Sequence, residues 1–418
     1  MRWLLVTLAV VAALGQQEAI VIEHVSVIDA QTGTVKSDQT ISIKGIAARR
    51  IDGRGKFLIP GLWDMHTHVG ELPTGWEELF LANGIVGVRE MACSQKNWPA
   101  QQSHRKRNVA PYLVSTIGAI DRDGPQAVPN AVAAPVLIDR LVKLGVDFLK
   151  VYNALSRDAY FAIAAEARKR NLPLTGHIPD AISAAEAARA GQKSIEHMDN
   201  ILLACSTSEV GYRKLFVQDG RLPKPLVLNS FSKTKAEALA DLFVQTGTWV
   251  VPTLTELRGD TLDGTALNDP NLQYMENGWM GEWRAHLGVL RDRQFETRWF
   301  EKHREVLKIF ERKGVRILAG TDAPAPFCVP GYSLHEELEL MVGAGMSASR
   351  ALAAATSNVP EFLGRNVPPT YVLLSGNPLS DIKNTRKIEV VIVDGRVLLR
   401  KDLDAMLAAT KKRANASK

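Results

Sequence analysis

The sequence predicts an α/β fold: a (β/α)8 TIM barrel with a small β domain built from both chain ends. From residue 58 onward, short apolar strands alternate with amphipathic helical stretches, which is typical of parallel βα units. Eight candidate strands spread over roughly 270 residues, which matches such a barrel in number and length. They are Leu58–His68, Ile85–Met91, Ala110–Ile117, Phe148–Tyr152, Leu174–Ile178, Lys193–Met198, Trp249–Leu254 and Val315–Gly320.

Alternating β-branched residues predict further short strands near both chain ends. They lie at residues 19–27 and 39–44, and again at 370–374, 388–393 and 396–399. We expect the two groups to pair with each other, so that the barrel is inserted between the halves of one small domain. The predicted organisation is the N-terminal half of the β domain at 18–57, the barrel at 58–365, the C-terminal half of the β domain at 366–401 and a helical tail at 402–418.

Residues 1–17 differ in composition from the rest of the chain. Arg2 precedes an apolar run from Trp3 to Leu14, and small residues stand at the positions that a signal peptidase reads. We therefore predict a signal peptide and a secreted or periplasmic protein. The run is too short to span a bilayer, and no later stretch reaches about 18 apolar residues, so embedding in a membrane is not expected.

The composition is that of a globular protein, with 46% hydrophobic and 23% charged residues among 418. The net charge of +6 is modest, and the basic runs at 104–107 and 411–413 contain no interleaved aromatic residues. No nucleic-acid partner is therefore expected. Cys93, Cys205 and Cys328 lie far apart, and we interpret them as packing residues, with a single disulfide left open.

Candidate metal ligands stand at the ends of several predicted strands. His66 and His68 are two residues apart and so point to the same side of the first strand. His177 ends the fifth strand, His197 ends the sixth, and Asp322 follows the eighth. Because the carboxyl ends of barrel strands meet at one face, these four imidazoles and one carboxylate predict a metal site there.

Lys150 lies in the fourth strand, and Tyr152 stands two residues beyond it on the same face. A bare ammonium beside divalent cations would be repelled by several kcal/mol at low dielectric, so an unmodified lysine does not fit this cluster. Tyr152 is interpreted either as a donor to a substrate oxygen or as a packing residue of the barrel.

Together these residues resemble the amidohydrolase superfamily of metal-dependent hydrolases. The resemblance covers nearly the whole mature chain and includes secreted bacterial members similar to prolidases, imidazolonepropionase-like hydrolases and ochratoxin-degrading amidases. The matching motifs are residues 60–68 (Pro-Gly-Leu-Trp-Asp-Met-His-Thr-His), Lys150, Gly176-His177, residues 195–197 (Ile-Glu-His), residues 320–322 (Gly-Thr-Asp), residues 330–338 (Pro-Gly-Tyr-Ser-Leu-His-Glu-Glu-Leu) and residues 377–379 (Asn-Pro-Leu).

The resemblance implies two divalent metal ions, with zinc as the expected metal. It also implies that CO2 carboxylates Lys150 to an anionic carbamate that bridges the two ions. The implied ligands are His66, His68, Lys150 and Asp322 for one ion, and Lys150, His177 and His197 for the other.

The activity that we expect is hydrolysis of an amide in a small-molecule substrate, a dipeptide or an N-acyl amino acid with a free carboxylate. A hydroxide that bridges the two ions would attack the carbonyl carbon. Asp322 would pass the remaining proton to the leaving nitrogen, and Tyr152 would donate to a substrate oxygen. Two alternatives stay open: a lactonase or phosphotriesterase that uses the same site, and a catalytically silent barrel that only binds.

Two connections are longer than a plain barrel needs, at residues 199–247 and 255–314. The second contains Trp279, Trp283 and Trp299. We interpret this tryptophan group equally as a substrate wall and as the interface of a homo-oligomer.

The remaining histidines are not predicted to be metal ligands. His335 is expected to have a structural role, with contact to substrate as the alternative. His104, His286 and His303 lie in loop or helical segments and are expected to face solvent. Glu196 precedes a candidate ligand and is expected in packing or in a contact behind the ligands.

Overall fold

The computed structural model describes residues 19–43, 48–107, 109–289 and 292–416. Within these ranges the chain forms one mixed β-sheet and two parallel sheets, with helices between the strands. The predicted α/β class is therefore confirmed. The predicted signal peptide at 1–17 lies outside the described residues.

Fifteen strands follow one another along the described part of the chain. Each candidate strand of the sequence analysis overlaps at least one of them. The strands are β1 (Ala19–Asp29), β2 (Thr34–Ile43), β3 (Ala48–Asp52), β4 (Phe57–Pro60), β5 (Leu62–Thr67), β6 (Ile85–Cys93), β7 (Tyr112–Ile117), β8 (Leu149–Val151), β9 (Leu174–Gly176), β10 (Gln192–Glu196), β11 (Trp249–Val251), β12 (Arg316–Ile317), β13 (Tyr371–Leu374), β14 (Ile388–Val393) and β15 (Arg396–Leu399).

Helices occupy most connections between the parallel strands. In one of them, Ser156 caps the first turn by accepting a hydrogen bond from the Ala159 amide, and basic residues lie in the last turn. The α-helices of the described residues are α1 (Trp76–Ala82), α2 (Trp98–His104), α3 (Ala134–Leu144), α4 (Arg157–Lys169), α5 (Ala184–Arg189), α6 (Ile201–Ala204), α7 (Glu209–Asp219), α8 (Lys224–Asn229), α9 (Lys233–Thr246), α10 (Leu254–Gly259), α11 (Asn277–Gly288), α12 (Arg293–Lys313), α13 (Tyr332–Gly343), α14 (Ala348–Ala354), α15 (Asn358–Leu363) and α16 (Arg400–Ala416).

The mixed sheet contains strands from both chain ends, in the order β15-β14-β13-β4-β1-β2, with β3 paired to β1. Strand β13 runs antiparallel to β4, and β4 runs parallel to β1. One face of this sheet has its own apolar core, separate from that of the parallel strands, because alternate residues of each strand point to the same side. The buried members of this core are Ile20, Ile22, Val25, Leu58, Leu373, Val390 and Ile392.

The first candidate strand, Leu58–His68, is in fact two strands, β4 and β5, which break at Gly61. The Gly61 amide donates to Thr370 of the mixed sheet (3.0 Å), whereas the next amide, that of Leu62, donates to Gly84 (3.1 Å). A Cβ at Gly61 would lie 2.3 Å from Val86 Cγ2. The chain thus changes its hydrogen-bonding partner here, and only glycine fits at the crossing.

The two parallel sheets hold eight strands in chain order, β5-β6-β7 and β8-β9-β10-β11-β12. Parallel bridges connect the sheets at both edges, between Thr67 and Ala323 and between Ile120 and Val151. This arrangement is TIM-barrel-like, and it brings the carboxyl ends of all eight strands to the same side.

The long connection after β11 contains helices α10, α11 and α12. Trp283 of α11 is buried and packs against Phe327, with ring centroids 5.4 Å apart. Its indole NH donates to the Pro324 carbonyl over 3.3 Å. Trp283 is therefore a core residue of this connection. Among the described residues, none of the helices combines the length and the apolar character that crossing a membrane requires.

Gly320 offers a test of how tightly the parallel strands pack beneath the candidate ligands. A Cβ there would lie 2.7 Å from the His66 Cβ and 2.8 Å from the His66 backbone nitrogen. We expect Gly320→Ala to lower the free energy of unfolding by about 1–3 kcal/mol, because the backbone must shift to relieve the overlap. Chemical denaturation measures the change.

Gly281 in α11 is the matched control, because a Cβ at this position meets nothing within 4 Å. We expect Gly281→Ala to stabilise the protein by up to ~1 kcal/mol through helix propensity. If Gly320→Ala unfolds at the same denaturant concentration as the unmodified protein, the close packing described here is wrong.

Candidate metal centre

Three candidate ligands converge where strands β5 and β12 end. The Nε2 atoms of His66 and His68 each lie 3.1 Å from Oδ1 of Asp322. The ligand atoms of the three side chains all lie within 4.8 Å of one another. Nε2 of His66 and Oδ1 of Asp322 are buried and have no hydrogen-bond partner among the described residues. A divalent cation would satisfy both atoms, so this donor set fits a metal ion.

The other three candidates surround the same place. Lys150 lies in β8, while His177 and His197 follow directly after β9 and β10. The ring centroid of His197 is 4.4 Å from that of His66 and 4.9 Å from that of His177. Five of the six candidates line one cavity of about 500 Å³, and these five are His68, Lys150, His177, His197 and Asp322.

Lys150 is a buried lysine without an acidic partner. The residue is only 3% exposed, and no carboxylate of the described residues lies within 4.0 Å of its ammonium nitrogen. Its ammonium nitrogen lies 5.9 Å from the centroid of the Tyr152 ring. Burial lowers the pKa of Lys150, because the charged form loses its hydration. The neutral amine is therefore more accessible here than for a lysine in water.

His177 and His197 are held neutral in this site. Burial, followed by the charge of His66, lowers the pKa of His197 to about 3. Burial and the neighbouring His197 likewise lower the pKa of His177 well below its ordinary value. For Asp322 burial opposes ionisation, but the surrounding histidines hold the pKa of its carboxyl well below the usual range. Neutral imidazoles and an ionised carboxylate are the forms that bind metal ions.

Three of the four candidate histidines make a hydrogen bond at Nδ1 that fixes the orientation of the ring. Such a bond sets the tautomer and directs Nε2 toward the site. His68 differs, because its Nδ1 lies 3.8 Å from Glu90 and makes no hydrogen bond among the described residues. The three bonds are from His66 to Glu196 (2.8 Å), from His177 to Asn153 (2.6 Å) and from His197 to Thr253 (2.8 Å).

Glu196 belongs to a buried ionic network behind His66, as its place in the sequence predicts. Arg89 donates to it over 2.7 Å, and the Ser194 hydroxyl donates over 2.5 Å. Burial acts against its ionisation, but the Arg89 charge and the bond from His66 lower the pKa of Glu196 to about 2. His66 is therefore held by a carboxylate that stays ionised.

Asp64 is a site residue that the sequence analysis missed. Its carboxylate accepts hydrogen bonds from the Thr321 hydroxyl (2.7 Å), the Thr321 amide (3.1 Å) and the His66 amide (3.2 Å). These bonds tie β5 to the segment that carries Asp322. Asp64 stands two residues before His66, so the spacing alone could have placed it on the same face of the strand.

Several residues at the strand ends have left-handed backbone conformations. They are His197 (φ 56°), Thr253 (φ 44°) and Asp322 (φ 62°). A left-handed conformation costs a residue other than glycine on the order of 1–3 kcal/mol. It persists because the backbone is pinned, for example by the Asp322 amide, which donates to the His66 carbonyl over 2.8 Å.

Tyr152 stands on the cavity wall. Its side chain is 40% exposed, and its ring centroid lies 4.3 Å from that of His177. Burial of part of the ring and the charge of Asp322 raise the pKa of Tyr152, so the hydroxyl keeps its proton at neutral pH. The hydroxyl is thus available as a donor next to the candidate ligands.

The prediction that three histidines face solvent is wrong for two of them. His104 is buried, contacts the Pro111 carbonyl over 2.9 Å and stacks on Trp76. His303 is 4% exposed and lines the cavity of the candidate metal centre. Both lie on helix faces that pack inward, which composition alone does not reveal. The side chain of His286 is 20% exposed and lies 3.5 Å from Asp260.

His335 has the structural role that was expected. It is buried in α13, and its two ring nitrogens contact the Thr385 hydroxyl (2.9 Å) and the Asn83 carbonyl (3.0 Å). Because Asn83 follows α1 and Thr385 lies near β14, His335 connects the barrel to the C-terminal part of the mixed sheet.

The strands and helices form an α/β fold with a TIM-barrel-like core, and the candidate metal ligands stand at its strand ends. Residues 152–398 match the model of the amidohydrolase family, which is more than half of the chain. The chain therefore belongs to the amidohydrolase family, and this membership indicates a hydrolase. A search of curated protein sequences found no match.

Solved structures share the fold. Bottromycin amidohydrolase has a TM-score of 0.74 and 22% identity over 94% of this chain and 90% of that chain. A Xaa-Pro dipeptidase with methionine bound in its active site has a TM-score of 0.65 and 17% identity over 91% and 100%. Ochratoxinase from A. niger has a TM-score of 0.62 and 18% identity over 91% and 96%. At these identities the likeness concerns the fold.

Thr253 tests whether the bonds behind the histidines matter for metal binding. We expect Thr253→Ala to weaken zinc binding roughly 10- to 100-fold, because His197 loses the hydroxyl that orients it. Competition with a chromophoric chelator measures the dissociation constant.

Thr253→Ser is the matched variant, because it keeps the hydroxyl. Like the alanine variant, it removes the γ-methyl group and so changes the strain of the left-handed backbone to a similar degree. We expect it to bind zinc like the unmodified protein. Equal zinc affinities of the alanine and serine variants would contradict an orienting role of this hydroxyl.

Proposed function

We propose that this protein is a binuclear metal-dependent hydrolase that cleaves an amide bond in a dipeptide or an N-acyl amino acid with a free carboxylate. One observation carries the proposal. His66, His68 and Asp322 converge on one point, next to a buried lysine that has no carboxylate within ion-pair distance among the described residues. The donor set suits zinc, which accepts imidazole and carboxylate ligands.

The ligands of the two ions would be the six residues that the sequence singles out. His66, His68 and Asp322 would hold one ion, His177 and His197 the other, and a carboxylated Lys150 would bridge them. When bound, divalent ions polarise the substrate carbonyl and lower the pKa of water.

Carboxylation of Lys150 is supported by its surroundings. The neutral Nζ would form a bond to the carbon of CO2 and lose one proton to solvent, which leaves an N-carboxylate with one negative charge. Burial in a site without an acidic partner favours the neutral amine that this step requires. Carboxylation would thus place an anionic carbamate, in place of the lysine ammonium, beside the two proposed divalent cations.

The chain's own residues provide the proton transfers. The Asp322 carboxylate would take a proton from the attacking water as the new C–O bond forms. It would then deliver this proton to the leaving nitrogen as the C–N bond breaks, so that it ends ionised as it began. The Tyr152 hydroxyl would donate to the substrate carbonyl oxygen or to its free carboxylate. Its exposure on the cavity wall supports this role.

Two structural points belong to the same proposal. We infer that the parallel sheets close into one (β/α)8 barrel, which the bridges at both edges support. We also infer that residues 1–17 direct the protein out of the cytoplasm, in keeping with the apolar run that follows Arg2.

Lys150→Ala tests the two-metal proposal. We expect the zinc content after metal loading to fall from about two ions to about one per chain. We also expect hydrolysis of dipeptides and N-acyl amino acids to fall by about 100-fold or more. Metal analysis by mass spectrometry and initial rates measure these changes. In 13C-bicarbonate the unmodified protein should show a carbamate carbon by NMR, and the variant should lack it.

Lys193→Ala is the control, because Lys193 also lies in a parallel strand but contacts the Phe362 ring, 4.9 Å from its centroid. We expect this variant to keep its zinc content, its carbamate signal and its activity. A Lys150→Ala protein with two zinc ions and full activity would rule out the proposed site.

A further inference from the structure

The cavity of the candidate metal centre is acidic beyond its ligands. Besides the candidate ligands, its wall carries three carboxylates, those of Asp199, Glu256 and Asp260. Its one further cation among the described residues is Lys224, which lies 3.1 Å from Glu296 and so is already paired. Burial raises the pKa of Asp199 to about 7 and that of Glu256 well above its ordinary value, so a positively charged group beside them would stabilise their ionised forms.

Two of these carboxylates each have a buried oxygen without a hydrogen bond. Oδ2 of Asp199 and Oε2 of Glu256 have no partner among the described residues. They lie 3.5 Å and 3.9 Å from the Nδ1 atoms of His177 and His197. Nδ1 of His177 already donates to Asn153 Oδ1, and Nδ1 of His197 is already engaged in its bond with the Thr253 hydroxyl, so neither nitrogen is left for these oxygens. Buried acceptors without donors are costly, and a ligand with donors would satisfy them.

His303 adds a third acceptor to the same wall. Its Nδ1 donates to the Trp299 carbonyl over 3.0 Å, because a carbonyl can only accept. Nε2 of the neutral ring is then an acceptor, and the described residues provide no donor to it. The residue is 4% exposed, yet it lines the cavity. A buried side chain thus presents an unpaired acceptor to the cavity.

Trp299 gives this wall an aromatic face. It lines the cavity next to His303, with the two ring centroids 5.2 Å apart. The Lys224 ammonium lies 5.3 Å from its ring centroid, so the indole face already accommodates a cation. Carboxylates, a neutral imidazole acceptor and an indole face together form surroundings that suit an ammonium or a guanidinium group.

We propose that the substrate carries such a cationic group, and that Glu256, Asp199 and His303 bind it. This inference rests on the proposed amide hydrolysis and narrows its substrate class to basic side chains, those of lysine or arginine residues next to the scissile amide. Glu256 determines the preference, because it places a carboxylate without a hydrogen bond on the wall.

The experiment compares glycyl-L-lysine, glycyl-L-norleucine and glycyl-L-glutamate with the zinc-loaded protein. Norleucine keeps the aliphatic chain of lysine and lacks its charge. We expect kcat/KM for the lysine substrate to exceed that for the norleucine substrate by roughly 10- to 100-fold, and the glutamate substrate to be poorest. Equal or higher values for the norleucine or glutamate substrate would overturn the proposal.

Glu256→Gln is the test variant, because it removes the charge and keeps the shape. We expect the ratio of kcat/KM between the lysine and norleucine substrates to fall at least about tenfold, chiefly through KM for the lysine substrate. If Glu256 only oriented His197, the substitution would lower kcat/KM equally for the lysine and norleucine substrates. Their ratio would then stay unchanged, and this result would overturn the proposal. Glu301→Gln on the outer face of α12, where Glu301 pairs with Arg304, should leave the ratio unchanged.

Failure of the two proposals can be told apart. If the norleucine substrate is cleaved in a zinc-dependent way but lysine is not preferred, the inference fails and the proposed hydrolysis stands. If no dipeptide is cleaved, the proposed function fails, and binding is then measured by calorimetry with L-lysinamide and L-norleucinamide. Tighter binding of L-lysinamide that Glu256→Gln abolishes would support the cationic site, and equal binding would overturn it.

Discussion

The candidate site depends on one buried ionic interaction, that of Arg89 with Glu196 and His66. All three side chains are fully buried, and they come from three different strands, β6, β10 and β5. Burying such charges is unfavourable unless each is paired and hydrogen-bonded. Here Arg89 also donates to the Met65 carbonyl over 2.6 Å and to Ser194 over 3.2 Å, so the network is satisfied. The result is a His66 ring with one tautomer and one orientation, whose free nitrogen faces Asp322.

The backbone at the strand ends adds a second constraint. Left-handed conformations at His197 and Asp322 turn the chain sharply as it leaves the strand, which places each side chain over the cavity and not beside it. The bonds from Asp64 to Thr321 and to the His66 amide hold the first and last parallel strands in register at the same point. Conformational strain is thus concentrated where candidate ligands stand and is supported by the rigid strands below.

The sequence predicts the strands and the meeting of the candidate ligands at their ends well, because both depend on local pattern. Apolar runs identify buried parallel strands, and the rule that sites lie at strand ends then brings distant residues together. It fails where the outcome depends on tertiary contacts. The break at Gly61 follows from a change of partner strands, and the burial of His104 and His303 follows from which helix face packs inward. Asp199 and Glu256 lie in connections whose path the sequence does not specify.

The proposed binding of a basic side chain and the proposed metal chemistry use different parts of this chain. The candidate ligands belong to strand ends that the packed core holds in place, whereas Trp299 and His303 belong to α12 in the long connection after β11. A wall that served only to balance the charge of metal ions would need carboxylates near the histidines and nothing more. The unpaired His303 nitrogen and the Trp299 face lie on the cavity wall but in neither the ligand set nor the bonds behind it. Their position is explained by a group that enters the cavity with donors and positive charge of its own.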